Sequence, residues 1–236
     1  MNNISISPPA AIAKSALAAH ASNRAPAANF DRLARLYRWM ELLTFGLWLE
    51  RCRSTSLAQL ANCRRALVLG DGDGRFTARL LGVNPHVEVD AVDSSPAMLR
   101  ALLRRTRSHA ARVRTHCADA RGWQPPHQSY DLVVTHFFLD CLSTEEIHSL
   151  AHRVRRAVCP AAMWVVSEFA IPESRFGRLV AQPVVWLLYR AFGLLTGLTV
   201  RSLPNHRAAL GAAGFRLNNR REWLLGLLIS ETWSRA

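Results

Sequence analysis

The segment Ala66-Leu-Val-Leu-Gly-Asp-Gly-Asp-Gly-Arg-Phe76 constrains this chain more than any other. A short apolar run, Ala66 to Leu69, enters a loop with glycines at positions 70, 72 and 74. A helical pattern, Phe76 to Leu81, leaves it. A second apolar run, Val87 to Val92, ends in Asp93. Strand, glycine loop, helix, strand, acid is the layout of a nucleotide-cofactor site at the tip of a parallel sheet. Glycine lets the backbone approach a ligand, and a helix N-terminus offers free N–H donors. An acid about 20 residues after the loop is placed to hold ribose hydroxyls.

The alternation continues downstream. A helix is expected from Pro96, with proline at a first-turn position. Val113–Cys117 reads as a third strand ending near Asp119, and Asp131–Thr135 as a fourth. Ser143-Thr144-Glu145-Glu146 is a capping box opening a helix to about Val158. Met163–Ser167 reads as a fifth strand. Asn205 is placed to cap a helix that stops at Gly214. Phe215–Arg221 and Trp223–Ser230 read as two strands that pair antiparallel. Such β–α alternation implies a parallel sheet covered on both faces.

The 236 residues suffice for one sizeable α/β domain. Residues 1–28, rich in Ala, Ser, Pro and Asn, lack a secretory pattern and read as a disordered tail. Residues 29–65 read as a helical cap, with Phe30, Leu33, Leu36, Tyr37, Met40 and Leu43 on one stripe. Residues 171–203 form an apolar insertion, a lid or interfacial segment. Its Trp186, Tyr189 and Phe192 lie among Arg178, Arg190 and Arg201. No stretch reaches the ~18 uninterrupted apolar residues of a spanning helix. The cysteines, Cys52, Cys63, Cys117, Cys141 and Cys159, are odd in number and never in Cys-x-x-Cys spacing. That argues against a disulfide framework or a zinc site and suits a reducing, cytoplasmic setting. The net charge of +13 comes almost wholly from arginine, because Lys14 is the only lysine. Arginine-favouring codon usage explains it, or an anionic partner does.

In series, these elements resemble the class I S-adenosylmethionine-dependent methyltransferases, over about residues 29–236. The resemblance implies a Rossmann-like three-layer sandwich with a seven-stranded, mostly parallel sheet and a C-terminal antiparallel hairpin. It also implies S-adenosylmethionine as the cofactor. The loop resembles the first motif of that family, with Gly70 where Asp or Glu is usual and Phe76 where a third glycine is common. Asp71 or Asp73 is then expected to hold the methionine amino group beside Gly72 and Gly74. Ala91-Val-Asp93-Ser94-Ser95-Pro96-Ala97-Met98 resembles the second motif, whose acid binds the ribose. Ala118-Asp119-Ala120 resembles the third, whose Asp faces the adenine. Tyr130 to Phe138, with Thr135 and His136, resembles the fourth, at the mouth of the site. Phe30, Ala34, Tyr37, Met40 and Thr44-Phe45-Gly46 follow a pattern like that of the ubiquinone/menaquinone C-methyltransferase group, where the tyrosine reaches the carboxylate end of the cofactor.

The expected activity is methyl transfer to a small, lipophilic acceptor, such as a quinone precursor or a lipid-like molecule. Peripheral membrane contact would run through residues 176–200. His136, Asp140 and Glu168 follow strand ends and are the candidate bases. Bland roles compete for each: Asp93 as a helix cap, Asp119 as a turn cap, His136 as a core histidine, and Asp140 and Glu168 as caps or ion-pair partners. Three rival functions stand beside this one. A nucleic-acid methyltransferase lacks support, because Thr-His-Phe-Phe stands where an Asn-Pro-Pro-Tyr-like tetrapeptide would be. A catalytically silent cofactor-binding module would fit the altered glycine loop. A nicotinamide-dependent oxidoreductase is disfavoured by Arg75 and Thr77, where its fingerprint wants glycine.

Overall fold

In the computed structural model the structure describes residues 46–125, 129–172 and 203–236, with residues 174, 179, 182, 183, 185 and 187 between them. The expected tail at 1–28, the stripe from Phe30 to Leu43 with Tyr37, and the arginine and aromatic positions of residues 176–200 lie outside the described residues.

Helix α1 (Gly46–Ser54) and a 3-10 turn (Leu57–Leu60) precede strand β1 (Arg65–Leu69). Then come α2 (Arg75–Val83), β2 (Glu88–Asp93), α3 (Pro96–Arg105), β3 (Val113–Cys117), β4 (Tyr130–His136), α4 (Thr144–Ala157) and β5 (Val158–Phe169). Helix α5 (His206–Ala212) and strands β6 (Phe215–Trp223) and β7 (Leu228–Arg235) complete the described order. The seven strands form one sheet in the order β3-β2-β1-β4-β5-β7-β6. The first five are parallel, and β7 runs antiparallel to both β5 and β6. The chain reverses its direction of travel between β1 and β4. In open α/β sheets ligands bind at such a switch point, outside the carboxyl ends of the strands.

Successive residues of a strand point to opposite faces, so the apolar runs split into two cores. Leu67, Leu69, Val133, Trp164 and Val166 pack with Ile147, Leu150 and Val154 of α4 and Leu210 of α5. Ala66, Val68, Leu132, Val134 and Val165 pack with Phe76 and Leu80 of α2 and Leu102 of α3. The helix starts follow local chemistry. Ser143 Oγ accepts from the Glu146 amide while Glu146 Oε2 accepts from the Ser143 amide, the reciprocal capping box. Asn205 Oδ1 accepts from the Ala208 amide. Ser95, not Asp93, caps α3, through an Oγ bond from the Met98 amide at 3.2 Å. At the opposite end of the sheet, the Asp131 carboxylate takes the Arg64 and Arg65 amides at 2.7 and 2.9 Å and pins the entry of β1.

Two strand expectations shift. The last strand starts at Leu228, not Trp223, because Leu224, Leu225 and Gly226 turn with φ of 51°, 56° and 91°. Their apolar composition mimics a strand, but the backbone reverses there and leaves Leu225 75% exposed. Strand β5 begins at Val158, earlier than Met163, and its pairing with β4 slips between Tyr130 and Leu132.

Gly74 and Gly82 make a controlled comparison. Gly74 has φ of +79°, and a Cβ there would sit 2.6 Å from Leu102 Cγ and 2.8 Å from Leu102 Cα. Around Gly82, inside α2, nothing among the described residues lies within 4 Å of where a side chain would begin. Gly74→Ala is expected to lower unfolding free energy by about 2–4 kcal/mol, through left-handed strain and overpacking. Gly82→Ala is expected to raise it by up to about 1 kcal/mol. Urea titrations of the two variants check both signs.

Candidate functional site

The glycine loop folds back over the carboxyl edge of the sheet. The Gly70 amide donates to Val92 O at 2.9 Å, and the Ala118 amide donates to Asp93 O at 3.1 Å. The end of β2 is therefore held from both sides, and Asp93 emerges between the loop and the β3 exit. Its Oδ1 accepts from the Ser95 amide at 2.8 Å, an Asx turn that fixes the carboxylate. Ser94 is exposed beside it. Met98 is buried and its sulfur lies 3.8 Å from where a Gly72 side chain would begin. Among the described residues nothing else lies within 4 Å of that point, so the loop backbone is bare of them on this side. Gly70 has a different reason to lack a side chain. At φ +69° its Cβ would stand 2.3 Å from the Phe138 ring. An acidic residue does not fit at position 70.

The two loop acids differ in company. Asp71 Oδ2 accepts from both the amide and the hydroxyl of Thr77, at 2.9 and 2.6 Å, and so caps the first turn of α2. Burial pushes its carboxyl from 3.8 up to about 6, with the Thr77 bonds and the Arg53 charge pulling back. Asp73 is ion-paired with Arg105 at 2.7 Å and Arg75 at 3.4 Å. Asp119 is gripped by Arg121, whose Nε reaches both carboxylate oxygens at 3.0 and 2.9 Å. The Arg121 amide also donates to Asp119 Oδ1. Arg121 continues to Glu146 at 3.3 Å, linking the β3 exit to α4. Ala120 is buried next to Asp119, and its carbonyl takes a bond from Arg153. Thr135 faces the α4 side, where its hydroxyl accepts from Trp164 Nε1 at 3.0 Å.

At the carboxyl ends of β4 and β5, His136 and Glu168 point to opposite faces. Glu168 is 2% exposed, and its Oε1 accepts the Phe138 and Leu139 amides at 3.2 and 2.8 Å. It thereby anchors the turn that carries Asp140. Burial first, then the Asp140 charge, pushes Glu168 well above the carboxylate range. Burial raises Asp140 to about 6. His136 is 4% exposed, with neither ring nitrogen hydrogen-bonded within the described protein. Its ring meets Phe76 edge-on at 4.5 Å. Burial, with the Arg53 charge adding, holds it well below its usual pKa and keeps it neutral.

Residues that the motif reading passes over belong to the same site. Arg53 on α1 lies 5.2 Å over the Phe137 ring, and its charge acts on Asp71, His136 and Cys52. Ser167 and Ser230 are buried; the Ser167 hydroxyl meets the Cys52 sulfur, and Ser230 Oγ has no hydrogen-bond partner among the described residues. A buried polar atom without a partner costs about 1–3 kcal/mol. No local signal marks these residues, because long-range strand pairing brings them together. Arg121 had a signal, since an arginine two residues after a strand-end Asp is within reach of an Asx turn.

The folded-state rise of Asp71 has a defined sign. Between about pH 4 and 6 the folded carboxyl binds more proton than the unfolded one, so stability falls as pH rises through that window and levels above it. Asp140 and Glu168 add the same sign. The urea midpoint of the wild type is therefore expected to fall more steeply from pH 4 to 6 than that of Asp71→Asn. Parallel profiles would contradict it.

Residues 66–161 match the family model described as "Methyltransferase domain". A malonyl-[acyl-carrier protein] O-methyltransferase from Paenibacillus sp. (strain JDR-2) is 28% identical over 199 residues, covering 82% of this chain and 68% of that protein. A trans-aconitate 2-methyltransferase from Methylobacterium radiotolerans is 31% identical over 126 residues, covering 52% of this chain and 46% of that protein. Among solved structures, an S-adenosylmethionine-dependent methyltransferase in its apo form superposes with a TM-score of 0.64 at 22% identity, covering 90% of this chain and 63% of that one. The chain thus spans only 46 to 68% of the length of these three. The glycine turn at the switch point, the acid at the end of β2 and the antiparallel β6–β7 pair fit the same conclusion: the chain has the class I methyltransferase fold, and residues 66–161 are a methyltransferase domain.

Proposed function

We propose that this chain transfers a methyl group from S-adenosylmethionine to an oxygen of a small or carrier-linked acceptor. The observation that carries the cofactor side is the convergence of the bare Gly72 backbone, the fixed Asp93 carboxylate and Met98 at one strand edge. Asp93 would take the ribose hydroxyls, Met98 would lie against the base, and the glycine turn would admit the amino-acid end. Of the two loop acids, Asp71 is the better partner for an ammonium group. One of its oxygens serves Thr77, whereas Asp73 is bound by two arginines. Asp119 reaches an adenine only alongside Arg121, with which it is paired. Ala120 and Thr135 would act as packing around that pocket.

When bound, the cofactor supplies a methyl group already activated on a sulfonium. The protein then has to align the acceptor and exclude water. For an acceptor that must lose a proton, Asp140 suits a base better than His136. Its pKa near 6 lies close to the working range, while His136 is kept neutral and unoriented. Glu168 would serve by holding the Asp140 turn. The oxygen acceptor draws support from the O-methyltransferase relative, and both relatives' names put a carboxylic acid in the acceptor.

A lipophilic, quinone-like or lipid-like acceptor met at a membrane surface is the second reading. Leu47 at 80% exposure, Trp48 at 39% and Leu225 at 75% favour it, with Arg51 standing 5.0 Å over the Trp48 ring. Its residue-level likeness to the quinone C-methyltransferase group rests on Phe30, Ala34, Tyr37 and Met40, outside the described residues. Among the described residues no helix is long and apolar enough to cross a membrane.

Calorimetry of S-adenosylmethionine with the wild type and Asp93→Ala tests the core of the proposal. Micromolar binding, weakened at least ~10-fold in the variant (about 1.4 kcal/mol), is expected. Equal binding by both proteins would overturn the ribose role.

A further inference from the structure

Three polar side chains form a straight row across the sheet. His136 of β4 is the register partner of Ser167 of β5, and Ser167 is the register partner of Ser230 of β7. Paired residues share a face, so all three side chains lie on the α2 side, at the carboxyl ends of β4 and β5. They are 4%, 0% and 4% exposed. His136 Nδ1 and Nε2 and Ser230 Oγ are buried without a hydrogen-bond partner in the described protein, and the Ser167 hydroxyl between them meets the Cys52 sulfur. Buried polar groups in folded proteins are nearly always bonded, and a cluster of exceptions in one row calls for a reason.

The surroundings select the kind of ligand. Phe76, in the helix that follows the glycine turn, packs its ring on His136, so the row adjoins the proposed methyl-donor site. Cys52 of α1 gives its thiol proton to Ile229 O at 3.1 Å, and burial pushes that thiol up to about 12, so it brings no negative charge. The cation facing the row is Arg53, whose charge acts on His136 and which stands over the Phe137 ring. Asp71 is the acid that shares the influence of Arg53, and it is engaged at Thr77. Two hydroxyl donors, a neutral imidazole with one N–H, and a guanidinium together ask for an acceptor-only anion. A cation would meet Arg53, and a hydrocarbon would leave His136 Nδ1 and Nε2 and Ser230 Oγ unbonded.

We propose that the His136–Ser167–Ser230 row, with Arg53 beside it, is the acceptor subsite, and that it holds a carboxylate of the substrate. This rests on the methyltransferase reading and names its acceptor class as a carboxylic acid. One carboxylate oxygen held by the row leaves the other to attack. The new O–C bond forms as the C–S bond breaks, its electron pair stays on sulfur, and the product is a methyl ester. The attacking oxygen is ionised before it arrives, so no proton has to leave and the uncharged His136 positions the acid without acting as a base. His136 and the two serines are positioning residues here, and Arg53 supplies the charge.

The test is calorimetry on the full chain, first alone and then saturated with S-adenosylhomocysteine, with malonate and malonamide as probes. Malonate is expected to bind at least ~10-fold more tightly than malonamide. Arg53→Gln, Ser167→Ala and Ser230→Ala are each expected to weaken malonate at least ~10-fold. Ser230→Ala is expected to leave S-adenosylhomocysteine affinity within about twofold. Ser230→Ala removes a hydroxyl without a partner in the described protein, so its thermal midpoint is expected to equal or exceed that of the wild type. A merely structural role would lower it. Equal binding of acid and amide, or malonate affinity unmoved in all three variants, overturns the subsite. Failure to bind S-adenosylhomocysteine would instead strike the methyltransferase reading, while the malonate titration of the free protein still decides the row.

Discussion

The grip on the end of β2 organises the site. Gly70 donates to Val92 O from one side and Ala118 donates to Asp93 O from the other. These two backbone bonds fix where the glycine turn crosses the sheet, where Asp93 emerges and how the β3 exit approaches it. The turn reaches Val92 only because Gly70 takes φ +69° under the Phe138 ring. That ring in turn belongs to the segment whose amides Glu168 holds. Loop, Asp93 and the turn after β4 are thus coupled through short contacts.

This coupling explains an apparent departure in the sequence. An acid at position 70 would be the family habit, yet the left-handed backbone and the Phe138 ring leave no room for one. The carboxylate moves one residue on, to Asp71, where it caps α2 instead of standing free. A capped, buried carboxyl with a pKa near 6 is a weaker attractant for an ammonium group than an exposed one. The site compensates with position, since Asp71 is held still by two bonds.

The sheet was legible because its signals are local. The apolar runs, Pro96, Asn205 and the Ser143–Glu146 box each act within a few residues, and the elements form where those signals stand. The hairpin was misplaced because Trp223 to Leu228 is apolar throughout, and only the backbone angles of Leu224, Leu225 and Gly226 separate turn from strand. The acids of the loop and strand ends stand out by spacing, but their partners do not. Arg105 reaches Asp73 from 32 residues away and Thr77 reaches Asp71 from six. Ser167 and Ser230 carry no signature at all. They meet because β7 inserts antiparallel between β5 and β6, a pairing no local pattern announces.

The same non-local logic bears on the arginine excess. A net charge of +13 invites a nucleic-acid partner, yet many guanidinium groups are already engaged inside the fold. Arg112 alone donates to Leu81 O, Asn84 O and Val87 O and ties α2 to β2. Arg153, Arg155 and Arg235 cap the carbonyls of Ala120, Ala236 and Val158. Arg220 and Arg207 surround the buried Glu231, which also bonds His206 and Trp233, and the cationic neighbours hold that carboxyl below its usual range. At Arg112 the planar fork spreads its bonds over two nitrogens, a geometry the single ammonium of lysine does not share. In a chain with one lysine, arginine serves as backbone cement as well as surface charge. Net charge alone is therefore a poor guide to partners here. Arg53, which stands over the Phe137 ring and whose charge acts on the buried His136, is the arginine whose placement speaks to function.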